Sequence, residues 1–377
     1  DGGPATESAL DQPYGLSVDS EGNLFIADNW NHRIRKIDTS GNISTVAGIG
    51  VDFFDSFSGD DGPASEARLY YPTDVFAHSS GEIYIADHGN GRVRRIDTSG
   101  IITTVAGGGT SQPSDASSAL EVSLKPYCIA VDDDGTMYIG TFPQYDDEPQ
   151  YHQILRVDSE GSVSVFAGAG AAGFDGDGGP ATQALLNQPR DIAVGPDGSI
   201  FIADYYNARV RLVGTDGVIT TFAGSGDLGE IDYPGDNGPA TEAQLNGVRA
   251  LAISDAGNVY IGESYGYCVR GVQNDTIVTV AGGVLNSNGN RASGFSGDGG
   301  SSVEALFATI YGLALDDSGN LYISTGNQRI RMVEALESFA NDSDDSDDSD
   351  DSDDDGTDSG DSPGDTVTLP SGEVGPM

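Results

Sequence analysis

The sequence predicts an all-β fold, a six-bladed β-propeller of four-stranded antiparallel blades with short helices in the inter-blade linkers. Three observations carry this. One phrase recurs six times, the glycine count is 54 in 377 residues, and within one copy the pattern is four short strands with glycine turns at the a–b and c–d joints. The recurring phrase runs from Asp19 to Asp28 in its first copy and ends in Leu-Phe-Ile-Ala-Asp. Its turn glycines are Gly22, Gly81, Gly135, Gly198, Gly257 and Gly319, spaced 54 to 63 residues apart. Self-similarity at such a period marks a repeat architecture, in which each unit buries its apolar faces only against its neighbours.

Within the first copy the pattern predicts strand a over 15–19, b over 23–28, c over 33–38 and d over 43–48. Strands a and c alternate, with Leu16/Val18 and Ile34/Ile37 on a pleated face. Strand b is continuously apolar, as a strand covered on both faces requires. The a–b and c–d joints, Ser20-Glu21-Gly22 and Thr39-Ser40-Gly41, are hairpin turns. A pair of β-sandwiches is the alternative, but sandwich strands have no reason to repeat. In the sixth copy Arg329–Val333 is strand c. Leu336–Ala340 then supplies a shortened d strand, or the closing strand lay upstream of Asp1 in a longer chain.

Linkers such as Phe174–Leu186 carry Pro180, which suits the first turn of a short helix, with Ala184 and Leu185 as its buried side. The propeller is therefore expected over residues 1–340 as one domain. Residues 341–377 are expected to be an acidic, Asp/Ser-rich disordered tail. Its 13 Asp over 341–365 come with no aliphatic or aromatic residue to bury.

The phrases Asn31-His32-Arg33-Ile34, Asn90–Val93, Asn207–Val210 and Asn327–Ile330, following Ile-Ala-Asp or its variants, resemble NHL repeats. The linker Gly176–Thr182 is similar to those of bacterial and teneurin-like NHL proteins. The resemblance covers residues 1 to about 340. It implies a six-bladed propeller that acts as a binding scaffold.

Charge narrows the function. There are 60 Asp+Glu against 17 Lys+Arg, a formal net charge of −43, and only Lys36 and Lys125 are lysine. Such a surface repels phosphate backbones and anionic lipid, so neither nucleic acid nor membrane insertion is expected. No run of 18 apolar residues occurs. The acidity favours a secreted or cell-surface setting, and the chain is expected to act as a monomer. Cys128 and Cys268 occupy different repeat positions, so no disulfide is expected.

Repetition separates architecture from function, because a residue present in every blade serves the blade. Asp28, Asp87 and Asp204 each precede an arginine by five residues, Arg33, Arg92 and Arg209. They are expected to pair within the blade. Residues peculiar to one blade fall in the b–c loops: Trp30, His32, His88, Phe142, Tyr145, Tyr151, His152, Tyr205, Tyr206, Tyr265 and Tyr267. Blade three adds the insertion 142–152. Exposed aromatics are costly unless they pack or bind, so these residues are the candidate ligand-binding set for a protein or a glycan.

Catalysis is not expected. Only four histidines occur, none in a zinc-ligand spacing. The alternative reading is a calcium-dependent lactonase or esterase-like hydrolase, since propellers of similar shape include calcium lactonases. Calcium also has two candidate places in the chain itself. The linker Asp175-Gly-Asp177 is one, more simply read as turn chemistry. Asp351, Asp353 and Asp355 of the tail are the other, a half-complete loop with Ser362 at the twelfth position.

Overall fold

The computed structural model describes residues 1–50, 57–114, 116–141, 152–227, 235–287, 291–334 and 374–376. Six antiparallel sheets follow one another along the chain. In blade one the strands are Pro13–Val18, Leu24–Asp28, Arg33–Ile37 and Asn42–Ala47, each within two residues of its predicted limits. Strand b of every blade is buried along its whole length, as its unbroken apolar sequence requires.

The apolar residues gather in six clusters, each lying between neighbouring sheets. One joins Phe25, Ala27 and Ile34 of blade one to Val75, Ile83 and Ile85 of blade two. The last joins Leu16, Leu24 and Ile26 of blade one to Ala314, Tyr322 and Ile330 of blade six. The ring is therefore closed, and the core is a circle of sheet-to-sheet contacts. Ser324 Oγ adds a hydrogen bond of 2.6 Å to the Tyr14 carbonyl across the same joint.

The fourth strand of blade six differs from expectation. Leu336–Ala340, one of the two segments expected to form it, lies outside the described residues. The first segment of the chain, Gly3–Pro4, pairs with strand d of blade one instead. The strand beside Arg329–Val333 is Val374–Pro376, so part of the segment expected to be a disordered tail joins the ring. Its composition explains this, because Val374-Gly-Pro376 lies beyond the aspartate run.

The linkers form three-residue 3-10 turns. Four of those described follow a Gly-Pro pair that adds a fifth, two-residue strand to the outer edge of blades one, two, four and five. They run along the edge strand and cover its free backbone groups, which an exposed edge would offer to other chains. In the fourth linker Ala184 and Leu186 are fully buried and Leu185 only partly, so the apolar side is shifted by one residue from expectation.

Gly59, Gly176, Gly235 and Gly297 open these linkers at φ of +98°, +92°, +124° and +93°. A Cβ on Gly176 would lie 2.7 Å from Ala184 Cα. Strained φ and a backbone clash act together, so Gly176→Ala should lower stability by about 2–4 kcal/mol, read as a lower urea midpoint at unchanged slope.

Candidate functional site

Strand b of blades three and six ends in Thr141 and Thr325, but the b–c loops of blades one, two and four are built alike, and that of blade five follows the same plan. There strand b ends in an acid, three residues form a turn, which is 3-10 in the first three of these blades, and the next adopts a left-handed conformation. His32, Ala208 and Tyr267 hold this last position at φ of 52°, 50° and 52°. The acid is fully buried and organises the loop. In blade four Asp204 accepts hydrogen bonds from Asn187 N at 2.7 Å and Asn207 Nδ2 at 2.8 Å. Asp28 and Asp87 repeat this with Asp11 and Asn31, and with Tyr70 and Asn90.

Their arginine partners are not those expected. The acids pair with the arginine seven residues on, not five: Asp28 with Arg35 at 3.3 Å, Asp87 with Arg94 at 3.4 Å and Asp204 with Arg211 at 3.4 Å. The nearer arginines lie at the loop rim. Arg92 and Arg209 reach the carbonyls of Asn90 and Asn207. Arg209 also covers the Phe174 ring at 3.7 Å. The inner arginine is fully buried and needs charge compensation, whereas the outer one is hydrated and does not.

A second carboxylate completes the pair. Asp1, Asp60, Asp177, Asp236 and Asp298 of the linkers bind Arg35, Arg94, Arg211, Arg270 and Arg331. Asp60 and Asp177 also accept from Thr104 and Thr221 on strand d. Asp177, weighed above as a calcium ligand, is thus the staple that fastens the linker to its blade. Burial raises Asp87 and Asp204 from 3.8 to about 6, outweighing the hydrogen bonds they accept and the charges of Arg94 and Arg211.

This architecture sorts the loop residues. The first turn position faces the next blade. Asn29 Nδ2 donates to the Pro72 carbonyl, His88 Nδ1 lies 3.0 Å from the Pro126 carbonyl, and Tyr205 is buried. His32 and His152 accept on Nδ1 from the backbone N–H of Tyr71 and Gln188, both at 3.0 Å. All three histidines are buried, so the structure places His32, His88 and His152 at blade joints and not on the open surface. The second turn position points outward. Trp30, Tyr206 and Tyr265 are 54%, 51% and 52% exposed. Tyr205 ties two of them together, with ring centroids 4.8 Å from Tyr206 and 6.1 Å from Tyr265. Tyr267 is half-buried. Phe142, Tyr145 and Tyr151, like Asp351, Asp353 and Asp355, lie outside the described residues.

A second group was missed by the sequence reading. The second residue of each strand a lies at the axis: Tyr14, Thr73, Tyr127, Arg190, Arg249 and Tyr311. These residues differ from blade to blade while their apolar neighbours repeat, which was the available signal. Arg249 Nη2 donates to Tyr127 Oη at 2.7 Å, and Arg190 Nη1 donates to the same oxygen at 3.2 Å. The Arg249 guanidinium also covers the rings of Tyr311 at 4.2 Å and Tyr14 at 4.8 Å. Arg190 stacks on Tyr205 at 4.1 Å, which links the axial group to the exposed tyrosines.

Beneath this group lies an axial channel of about 640 Å³. Asp74 and Asp191 stand in its wall. Asp74 accepts from Val75 N and Ile129 N, and Asp191 from Ile192 N and Leu251 N, so each ties its blade to the next. Burial pushes Asp191 up to about 7, and burial with the neighbouring Asp191 raises Asp74 well above the carboxylate range. Among the described residues no three of His, Cys, Asp and Glu gather in metal-binding geometry. Cys128 and Cys268 are buried and free.

Comparison with known proteins agrees with this architecture. The teneurin NHL domain matches residues 50–124 and 172–232, and the NHL repeat matches residues 10–37. Teneurin-1 of Gallus gallus is 32% identical over 56% of this chain and 8% of its own length. Teneurin-m of Drosophila melanogaster is 30% identical over 67% of this chain and 10% of its own. The chain thus spans about a tenth of these relatives. Among solved structures, a protein of unknown function from Bacteroides thetaiotaomicron superposes with a TM-score of 0.62 at 16% identity, covering 88% of this chain and 71% of that one. A gluconolactonase from Xanthomonas campestris gives 0.54 at 13% identity, with 85% of each chain covered. Such likenesses establish the fold alone. By its repeats, its linkers and its ring of blades, the chain belongs to the NHL-repeat six-bladed β-propellers, with repeats of the teneurin type.

Proposed function

We propose that this propeller is an extracellular binding module that engages a protein partner through its b–c face. The observation that carries this reading is the set of outward aromatics, Trp30, Tyr206 and Tyr265, at one loop position of blades one, four and five. Each sits on a turn whose other side chains are locked into blade joints. A large aromatic on a rigid support presents contact area at little cost in side-chain entropy, as binding hot spots do. The teneurin-like repeats and the strongly acidic composition support a cell-surface or secreted setting. Protein is favoured over glycan because the exposed Trp30, Tyr206 and Tyr265 stand on three different blades, so that contact with all of them needs a broad partner surface.

The test is a surface-protein and glycan array probed with the wild type and with Trp30→Ala, Tyr206→Ala and Tyr265→Ala. Loss of one hot-spot aromatic should weaken binding by about 2 kcal/mol, roughly thirtyfold, while thermal stability changes by less than about 1 °C. A ligand whose affinity is the same in all three variants would refute the reading. Capture of glycans alone would replace the partner class and keep the face.

A further inference from the structure

Arg249 is the anomaly of this molecule. It is 8% exposed, and no carboxylate among the described residues lies within ion-pair reach of it. Arg94, Arg211 and Arg270 are as deeply buried, and each binds two acids. Among the described residues, its neighbours are three phenols. An interior charge with no carboxylate among these neighbours is costly, and the guanidinium does not lose its proton.

The channel beneath is suited to hold the missing anion. Tyr14, Tyr127, Tyr311 and Arg190 line its inner end, with Arg249 behind the phenols. Burial raises the pKa of Tyr14, so it remains a neutral hydroxyl donor. The wall also carries aliphatic side chains, Leu16, Ile192, Leu251, Leu313, Val194 and Leu315, together with Asp132, Asp133, Asp134 and Asp255. Asp74 and Asp191 are held towards their protonated forms by burial, which limits their repulsion of an anion. A volume of about 640 Å³ with a stretch of aliphatic side chains and polar groups converging at one end has the size of a small-molecule site.

We propose that the axial channel binds a monocarboxylate with an apolar body. The carboxylate sits at Tyr14, Tyr127, Tyr311 and Arg190, where the Arg249 charge compensates it, and the apolar part lies along the leucine wall. The site borders the aromatic rim where Arg190 stacks on Tyr205, but Arg249 is not a rim residue, so substitution there tests the channel apart from the rim.

Octanoate is the probe, with 1-octanol, octylammonium and glucuronate as controls, titrated calorimetrically into the whole chain. Octanoate should bind at least tenfold more tightly than each control. Arg249→Lys, which keeps the charge and loses the fork, should weaken octanoate about three- to tenfold. Arg249→Met should abolish the preference for octanoate over octanol and, by removing an uncompensated charge, raise Tm by about 2–4 °C. Equal affinity for octanoate and octanol in the wild type, tighter binding of glucuronate, or unchanged octanoate affinity in Arg249→Lys would overturn the proposal. A lower Tm in Arg249→Met would show that the cation serves the fold and would overturn it too. Partner binding at the rim should survive every Arg249 substitution.

Discussion

Arg211→Leu should destabilise the propeller by about 3–5 kcal/mol, among the largest effects of any single change in it. The guanidinium is fully buried and bridges Asp204 at the end of strand b to Asp177 in the linker. Removing it leaves Asp204 without its cation at a site that water does not reach. The linker loses its staple in the same step. Blade three shows how the chain tolerates the change when it is made completely. There Thr141 stands where Asp204 stands, and Leu155 stands where Arg211 stands. Both are buried, and Thr141 Oγ1 donates to the Gln153 carbonyl at 3.2 Å. Acid and arginine have been replaced together.

Asp204→Thr with Arg211→Leu should therefore recover more than half of what Arg211→Leu alone loses. Urea unfolding of the wild type, both single variants and the double variant forms the cycle that measures this. A double variant as unstable as the sum of the singles would mean that the pair does not act as a unit. Asp177 has no such requirement, because it is more than a third exposed and can turn to solvent.

How much of this was legible follows from what each residue answers to. Strand limits were readable because turn glycines and alternating apolar residues report backbone conformation and sheet face directly. That the acid and arginine serve the blade was readable from their recurrence. Which arginine was not, because spacing does not distinguish Arg209 from Arg211. Both lie on the same face, two residues apart, and only depth separates them. The linker Gly-Asp-Gly was read as a turn because its target, Arg211, lies 34 residues away.

The loop set was too broad for a related reason. Aromatic and histidine side chains look alike in sequence whether they face solvent, as Tyr206 does, or the next blade, as Tyr205 and His88 do. Their position in the turn decides, and that becomes plain only when the turn is seen. Arg190 and Arg249 were passed over because strand a was treated as architecture throughout. Its second residue changes between Tyr, Thr and Arg from blade to blade, and that variation went unused.

Acidification from pH 8 to pH 5 should raise the melting temperature, the reverse of ordinary acid unfolding. Asp87 and Asp204 have folded pKa values of about 6 against 3.8 for a free side chain. Burial, the main cause, favours the protonated form in the folded state, so the native chain binds more protons than the unfolded chain between these values. Stability then falls as pH rises. The contribution is complete below about pH 3.8 and is lost as pH passes through about 6. A shift of about two units corresponds to roughly 3 kcal/mol for each group, as an order of magnitude. Asp28, Glu263 and Asp74 are raised by burial too and act in the same sense. So does self-repulsion at a net charge of −43, which protonation relieves. The groups that oppose it include His152, whose burial holds the imidazole below its usual 6.5, so that stability is lost through it as the unfolded histidine takes up a proton within this range. The raised carboxylates outnumber it. The turn aspartates Asp97 and Asp197 are held below the usual range by hydrogen bonds from Ser99 and Ser199, and their stabilisation is lost only as pH falls through those lowered values, so they do not oppose the rise above pH 5. Calorimetric scans at fixed ionic strength decide the matter, and Asp204→Asn supplies the control. An amide cannot titrate, so this variant should lose part of the pH slope. A melting temperature that is flat or falls between pH 8 and pH 5 would show that the Arg94 and Arg211 guanidinia outweigh burial at these sites.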